Sequence, residues 1–121
     1  MSVKDYIATY LEGWRLGNPG YSLAATAPGF YYSDPNTGKI LRDDFEDFMS
    51  AFKDDAAQLC SGKLPVPFLT YSNVVIDDSE TPVTIWCWWC VTGTEFQGAA
   101  LIKADDTGIL SEQIAYFTHL P

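Results

Sequence analysis

The spacing of the apolar residues changes about halfway along this chain of 121 residues. Before Ser61-Gly62 most apolar residues recur every three or four positions, and beyond that point they form continuous β-prone segments joined by short turns. Helices that come first and strands that come last predict an α+β domain in which helices pack on one face of a curved antiparallel sheet. The length and the 47% apolar content suit one domain, 1–121, with a single core.

The first helix is predicted from apolar residues at spacings of three and four. They are Val3, Tyr6, Ile7, Tyr10, Leu11 and Trp14. Ser2 and Asp5 resemble a capping box, and Gly17-Asn18-Pro19-Gly20 should end the helix. A short helix over 21–26 and a first strand over 30–33 are expected to follow.

A second long helix is predicted after the turn-forming sequence Asp34-Pro35-Asn36-Thr37-Gly38. Its one-sided apolar stripe consists of Phe45, Phe48, Met49 and Phe52, and Asp43 or Asp44 should cap it. The turn is not a calcium loop, because Lys39 stands where that loop needs glycine and Phe45 where it needs glutamate. Strands are predicted over 66–76, 81–93, 96–104 and 109–118.

Cys87 and Cys90 form a Cys-Trp-Trp-Cys sequence inside the segment 84–92, which is β-branched and aromatic. Residues three apart in a strand point to opposite faces, so the two thiols should not converge on a metal or form a redox pair. The chain has three cysteines, an odd number, which argues against a disulfide framework. We expect no metal and no cofactor.

Both faces of this strand are apolar. Trp86 and Trp88 share one face, and Ile85, Cys87, Trp89 and Val91 share the other. One face should line the helix-covered interior, and the pattern leaves open which one. The other face should be covered most economically by a second copy of the sheet, which predicts a homodimer, or else by a loop or the C-terminal tail.

The charge pattern limits the partners. The net charge is -9 and the seven basic residues are scattered, which argues against binding to nucleic acid. No apolar stretch is long enough to span a bilayer, and the N-terminus lacks an apolar signal core. We therefore expect a cytoplasmic protein with no membrane partner.

Several short motifs appear in a family-like order: Gly17-Asn18, Asp34-Pro35, 93–98, and Asp106-Thr107-Gly108-Ile109 with Tyr116-Phe117. With these motifs, essentially the whole chain resembles the nuclear transport factor 2-like superfamily. Its members share a cystatin-like α+β cone with an internal pocket, and they include ketosteroid isomerases and SnoaL-like polyketide cyclases. The resemblance also implies a homodimer formed through the sheet.

The resemblance implies two catalytic residues. Tyr10 matches the tyrosine that donates a hydrogen bond to the substrate oxygen in the isomerases, and Asp34 matches their general base. The second oxyanion donor of the isomerases is replaced by Ala100, and loss of one such donor commonly costs about 10²- to 10³-fold in rate. The cyclases' aspartate corresponds to Thr118. Arg15 and Arg42 match no position of the Asp-Arg-Asp set of the related epoxide hydrolases.

We therefore expect a protein that binds a small apolar molecule and transfers a proton next to a carbonyl. The residues expected to contact the ligand are Trp14, Tyr32, Phe52, Trp86, Trp88, Ala100, Gln113 and Phe117. The alternative is a non-catalytic ligand-binding or protein-association module. In that case Asp34 is a turn carboxylate that bonds its own backbone, and Tyr10 is a core tyrosine. His119 is expected at the surface or at the rim of the cavity.

Overall fold

The computed structural model describes residues 1–117. Three helices precede most of the sheet, and one turn of 3₁₀ helix at Arg42–Asp44 leads into the third helix. The elements are α1 (Val3–Leu16), α2 (Pro19–Leu23), β1 (Thr26–Asp34), β2 (Gly38–Leu41), α3 (Phe45–Leu59), β3 (Leu69–Asp77), β4 (Val83–Val91), β5 (Gln97–Asp105) and β6 (Gly108–Tyr116). Thr118 and His119 lie outside the described residues.

The six strands form one sheet in the order β2-β1-β6-β5-β4-β3. Four neighbouring pairs are antiparallel, but β1 and β6 run parallel. The α+β prediction is confirmed, although the sheet is mixed and not wholly antiparallel. A parallel pair needs a long crossover connection, and all the elements between β1 and β6 provide it.

Helix α1 begins and ends as its sequence predicts. Ser2 Oγ accepts a hydrogen bond from the backbone N–H of Asp5 at 3.2 Å, and Asp5 Oδ2 accepts one from Ser2 N–H at 3.0 Å. Gly17 ends the helix in the left-handed conformation, with φ at 69°. Helix α2 begins at Pro19, earlier than predicted, because the Asn18 side chain caps it and proline suits its first turn.

Strand β1 is longer than the predicted segment 30–33. It begins at Thr26 and passes through Pro28 and Gly29, where its register with β6 shifts between Thr26 and Tyr31. Such an irregularity accommodates a proline and a glycine within a strand. Asp44 occupies the N-cap position of α3, as predicted, but the preceding 3₁₀ turn leads into the helix and the Asp44 side chain makes no capping hydrogen bond.

The core lies between the helices and the inner face of the sheet, which we define as the face that α1 contacts on β3, β5 and β6. Phe45 and Met49 of α3 are fully buried in this core, as their stripe predicts. On β4 the inward residues are Ile85, Cys87, Trp89 and Val91. This pattern resolves which face of the tryptophan-rich strand lines the interior.

The other two tryptophans of β4 lie on the outer face of the sheet. Trp86 is 52% exposed and Trp88 is 37% exposed. Trp88 stacks on Phe117 with ring centroids 4.9 Å apart, and Gln113 is exposed on β6, which lies beyond β5 in the sheet. These four residues are among the expected ligand contacts, and the structure places them on the face of the sheet opposite to the helix-covered interior. Alternation along β4 turns Trp86 and Trp88 outward, because Trp89 is buried in the core.

Candidate functional site

A buried carboxylate, Glu112 of β6, contacts two aromatic residues of α1. The Tyr10 hydroxyl donates a hydrogen bond to Glu112 Oε1. Trp14 Nε1 donates to the same oxygen at 3.0 Å. Tyr10 and Trp14 are four residues apart, so successive turns of α1 place them on one face, towards β6.

Glu112 is only 2% exposed. Burial raises the pKa of its carboxyl group to about 7, while the hydrogen bonds from Tyr10 and Trp14 act in the opposite direction. A carboxyl group with a pKa near neutrality can both accept and donate a proton at physiological pH. Perturbed groups of this kind are concentrated at functional sites.

Two adjoining clefts lie between α3 and the inner face of the sheet. The inner cleft measures about 10 Å³, close to the space of one water molecule, and its walls are Trp14, Tyr32, Phe52, Leu69, Tyr71, Trp89, Glu112 and Ile114. The outer cleft measures about 210 Å³, and its walls are Asn36, Thr37, Phe48, Ala51, Phe52, Asp55, Ala56, Phe96 and Tyr116. The Phe52 side chain is a wall of both clefts.

The groups around Glu112 are neutral. Burial and the charge of Glu112 raise the pKa of Tyr71 well above its ordinary value. The same two causes raise the pKa of the Cys87 thiol to about 12. No lysine or arginine is among the described residues that line the inner cleft. The carboxylate of Glu112 is therefore stabilised only by neutral hydrogen-bond donors.

Asp34, the predicted base, is held by four hydrogen bonds. Its Oδ2 accepts from the hydroxyls of Tyr32 at 2.9 Å and Tyr116 at 3.0 Å. Its Oδ1 accepts from the backbone N–H groups of Asn36 and Thr37, each at 2.7 Å. Burial opposes ionisation of Asp34, but these bonds outweigh it and lower the pKa. These contacts are those of a turn carboxylate.

Neither Tyr10 nor Asp34 is a wall of either cleft. Tyr10 is separated from the inner cleft by Glu112, to which it donates, and Asp34 is separated from the two clefts by Tyr32 and Tyr116. The structure therefore brings neither of the two predicted catalytic side chains to a wall of these clefts, and their catalytic roles stay predictions. Tyr10 donates to Glu112, which lines the inner cleft. Asp34 accepts from Tyr32 and Tyr116, which line the inner and the outer cleft.

The predicted ligand contacts divide into three groups. Trp14, Tyr32 and Phe52 line the inner cleft. Ala100 is fully buried on the inner face but lines neither cleft. Trp86, Trp88, Gln113 and Phe117 belong to the outer face. Contact between any of these residues and a ligand stays a prediction.

Sequence reasoning missed Glu112, although the strand pattern contains a signal for it. Glu112 alternates with Ile114 and Tyr116, so it shares their face of β6. A charged residue on the inward face of a strand is uncommon, because burial of a charge is costly. The family resemblance instead pointed to Ala100 and Thr118, the positions that correspond to acidic residues of the isomerases and the cyclases.

Comparison with solved structures supports the fold. A nuclear transport factor 2-like protein of unknown function from Cytophaga hutchinsonii matches with a TM-score of 0.63 and 11% identity, over 96% of this chain and 90% of that one. A cystatin-like-fold protein of unknown function from Methylobium petroleophilum matches with a TM-score of 0.69 and 16% identity, over 98% and 78%. A ketosteroid isomerase-like protein from Erwinia carotovora atroseptica matches with a TM-score of 0.61 and 8% identity, over 97% and 95%.

No protein-family model matches the sequence, and no curated protein matches it significantly. Within residues 1–117, no helix combines the length and apolar character needed to cross a membrane. In the same part of the chain, no cluster of three or more histidine, cysteine, aspartate or glutamate side chains could hold a metal ion. The element order and the structural matches together show that the chain has the cystatin-like α+β fold of the nuclear transport factor 2-like proteins.

Proposed function

We propose that the protein binds a small apolar molecule in the outer cleft and exchanges a proton with it through Glu112. The observation that carries this proposal is the burial of an acidic group among neutral aromatic side chains, beside a cleft with apolar walls. An isolated buried carboxyl group is costly to a fold, so its presence without a cationic partner favours a chemical role.

In this proposal the base is Glu112 and not Asp34. A general base works best when its pKa lies near the working pH, and such catalysis contributes about 10²- to 10⁴-fold in rate. Glu112 meets this condition, with a pKa of about 7. The lowered pKa of Asp34 makes it a weak proton acceptor. Tyr10 and Trp14 then act as positioning residues that hold Glu112.

The reaction class follows the sequence expectation of proton transfer next to a carbonyl. The fold is shared with a protein described as ketosteroid isomerase-like, which is consistent with acid–base chemistry on a small molecule. For a substrate carbon to reach Glu112, the Phe52 ring between the two clefts must move. An aromatic side chain can move in this way without a change in the backbone.

The test is deuterium exchange of 1-indanone, a compact ketone with acidic C–H groups, in heavy water. We expect the wild type to accelerate exchange and Glu112→Gln to lower the rate at least about 10²-fold. Glu80→Gln, which changes an exposed glutamate, is the matched control. Equal exchange rates with Glu112→Gln and the wild type would contradict the role of Glu112.

A second candidate function is a binding module without chemistry. It is favoured by the size of the inner cleft, because about 10 Å³ beside Glu112 is too small for a substrate unless Phe52 moves. The same assay distinguishes the two functions. Binding of 1-indanone without any accelerated exchange would identify the module.

We also propose that a second copy of the chain covers the outer face. The proposal is supported by the exposure of Val75, Trp86 and Phe117 on that face, at 58%, 52% and 41%. Exposed aromatic and aliphatic side chains that share one face form an apolar patch, and a large patch of this kind is unusual on a soluble monomer.

A further inference from the structure

Trp89 has a buried hydrogen-bond donor with no acceptor. The side chain is 3% exposed. Its Nε1 is the one buried side-chain nitrogen or oxygen within residues 1–117 that has no hydrogen-bond partner. Buried polar groups are nearly always paired, so an exception calls for a specific explanation.

The other tryptophans with partly or fully buried rings do not share this property. Trp14 Nε1 donates to Glu112 at 3.0 Å, and Trp88 Nε1 donates to Gln97 Oε1 at 2.8 Å. Trp14 and Trp89 both form part of the wall of the inner cleft together with Glu112, and of these two only Trp89 has an N–H group without an acceptor. Its free N–H therefore belongs to the surroundings of the candidate site.

The indole of Trp89 is fixed in its orientation. Its ring packs against Phe52, Phe96 and Tyr116, with centroid separations of 6.1, 5.7 and 5.9 Å. On a neighbouring strand, Gly98 leaves space for the indole, since a Cβ at that position would lie 2.9 Å from Trp89 Cζ2. A donor that is held in this way is preorganised for an acceptor brought by a ligand.

We propose that Trp89 Nε1 donates a hydrogen bond to a single neutral oxygen of the ligand, whose apolar body lies in the outer cleft. This inference rests on the proposed function and names the substrate class: a compact, uncharged and largely apolar ketone or aldehyde. The dimensions agree, because the inner cleft has room for about one oxygen-sized group and the outer cleft measures about 210 Å³.

Glu112 excludes a negatively charged ligand oxygen from the inner cleft. A carboxylate or phosphate oxygen in the inner cleft would lie beside the Glu112 carboxylate, with no lysine or arginine among the described lining residues to compensate for the repulsion. A carbonyl oxygen carries no charge and accepts a hydrogen bond well. Trp89 is thus a specificity residue for uncharged carbonyl compounds.

The test compares 1-indanone with indane, which has the same ring skeleton but lacks the carbonyl oxygen. Titration of the wild type is followed through the indole N–H signals in ¹H–¹⁵N spectra, with the signals assigned from Trp→Phe variants. We expect 1-indanone to bind about tenfold more tightly than indane, the effect of one net hydrogen bond. We also expect 1-indanone, but not indane, to move the Trp89 N–H signal downfield.

Trp89→Phe should remove the tenfold preference, and Tyr21→Phe, which changes an exposed aromatic residue outside both clefts, should keep it. Should Trp89→Phe fail to fold, the wild-type chemical-shift comparison decides the question alone. Equal affinities for the two probes, with an unmoved Trp89 signal, would overturn the role of Trp89 while the binding function stands. Failure of both probes to bind at millimolar concentration would overturn the proposed function and this inference together.

Discussion

The Tyr10 hydroxyl donates a hydrogen bond to the carboxylate of Glu112 across 102 positions of the sequence. It joins the first helix to the last strand, and both side chains are almost completely buried. Ionisation of the Glu112 carboxyl group is therefore linked to the packing of α1 on the sheet, because Tyr10 of α1 donates to that carboxyl group.

The first prediction concerns the pH dependence of stability. Burial raises the pKa of Glu112 from an ordinary 4.5 to about 7, so the folded state binds a proton more tightly than the unfolded state. The contribution of Glu112 to the free energy of unfolding should be greatest below pH 4.5 and should fall by roughly 3 kcal/mol as the pH rises through 7. Urea unfolding at pH 5 and pH 8 measures this change. In Glu112→Gln the fall should be absent, and parallel curves for the two proteins would contradict the prediction.

The second prediction concerns Tyr10→Phe. This substitution removes a donor that lowers the pKa of Glu112, so that pKa should rise above about 7. It should be measured by NMR titration of the Glu112 side-chain carboxyl carbon. The variant should lose more stability at pH 8, where the carboxylate needs its donor, than at pH 5. Tyr21→Phe, at an exposed position, is the control and should leave the titration unchanged.

The third prediction concerns Asp34→Asn. An asparagine cannot accept all four hydrogen bonds, so the variant should lose about 1–3 kcal/mol of stability at pH 7. Ionised Asp34 has a lowered pKa and stabilises the fold above its unfolded pKa of 3.8, and this contribution is lost as the pH falls through the folded pKa. The deficit of the variant should therefore shrink in acid. Exposed Asp78→Asn is the control, and equal losses in the two variants would rule out the proposed hydrogen-bonding role.

The fourth prediction concerns self-association. Light scattering at micromolar concentration should give twice the chain mass of 13.4 kDa. Trp86→Glu should produce monomers, because it places a charge in the apolar outer face. Leu41→Glu changes a residue on β2 that is 56% exposed, and it should leave the dimer intact. A wild-type mass near that of a single chain would contradict the dimer.

The fifth prediction concerns Gly98→Ala. The new Cβ would crowd the Ala115 carbonyl oxygen on the backbone of β6 and lie 2.9 Å from Trp89 Cζ2. Overpacking of this kind costs about 1–3 kcal/mol or more. Gly29→Ala, where a Cβ would meet nothing within 4 Å, should cost much less. Thermal unfolding compares the two variants, and equal losses would show that the backbone around Gly98 yields easily.

Sequence patterns were sufficient to predict the helices, the late strands and the α+β class, because they depend on local spacing and capping. Ser2 and Asp5 cap the start of α1 through contacts with each other, Gly17 ends the helix through contacts with residues three and four positions before it, and these roles are confirmed. The parallel pairing of β1 with β6 was not predicted, since it joins segments that are far apart in sequence. The exact start of β1 was missed for the same reason.

The candidate site was only partly predictable. The inward position of Tyr10 followed from the periodicity of α1, but its acceptor did not, because Glu112 lies on a strand whose neighbours are fixed by the sheet order. Both faces of β4 carry large apolar side chains, so alternation alone could not decide that Trp89 would be buried and Trp86 exposed. That choice depends on which indole finds space, and Gly98 provides the space for Trp89.

The central place of β6 in the sheet has a consequence for how the chain is made. Because β6 lies between β1 and β5, a growing polypeptide that ends before Gly108 leaves two further open strand edges, those of β1 and β5, besides the edges at β2 and β3. Such edges are prone to pair with other chains, and Tyr10 has no acceptor until β6 is in place. A chain whose β6 is not yet paired therefore lacks the Tyr10–Glu112 hydrogen bond and exposes these edges at the same time, and this is the stage at which the protein should be most exposed to aggregation.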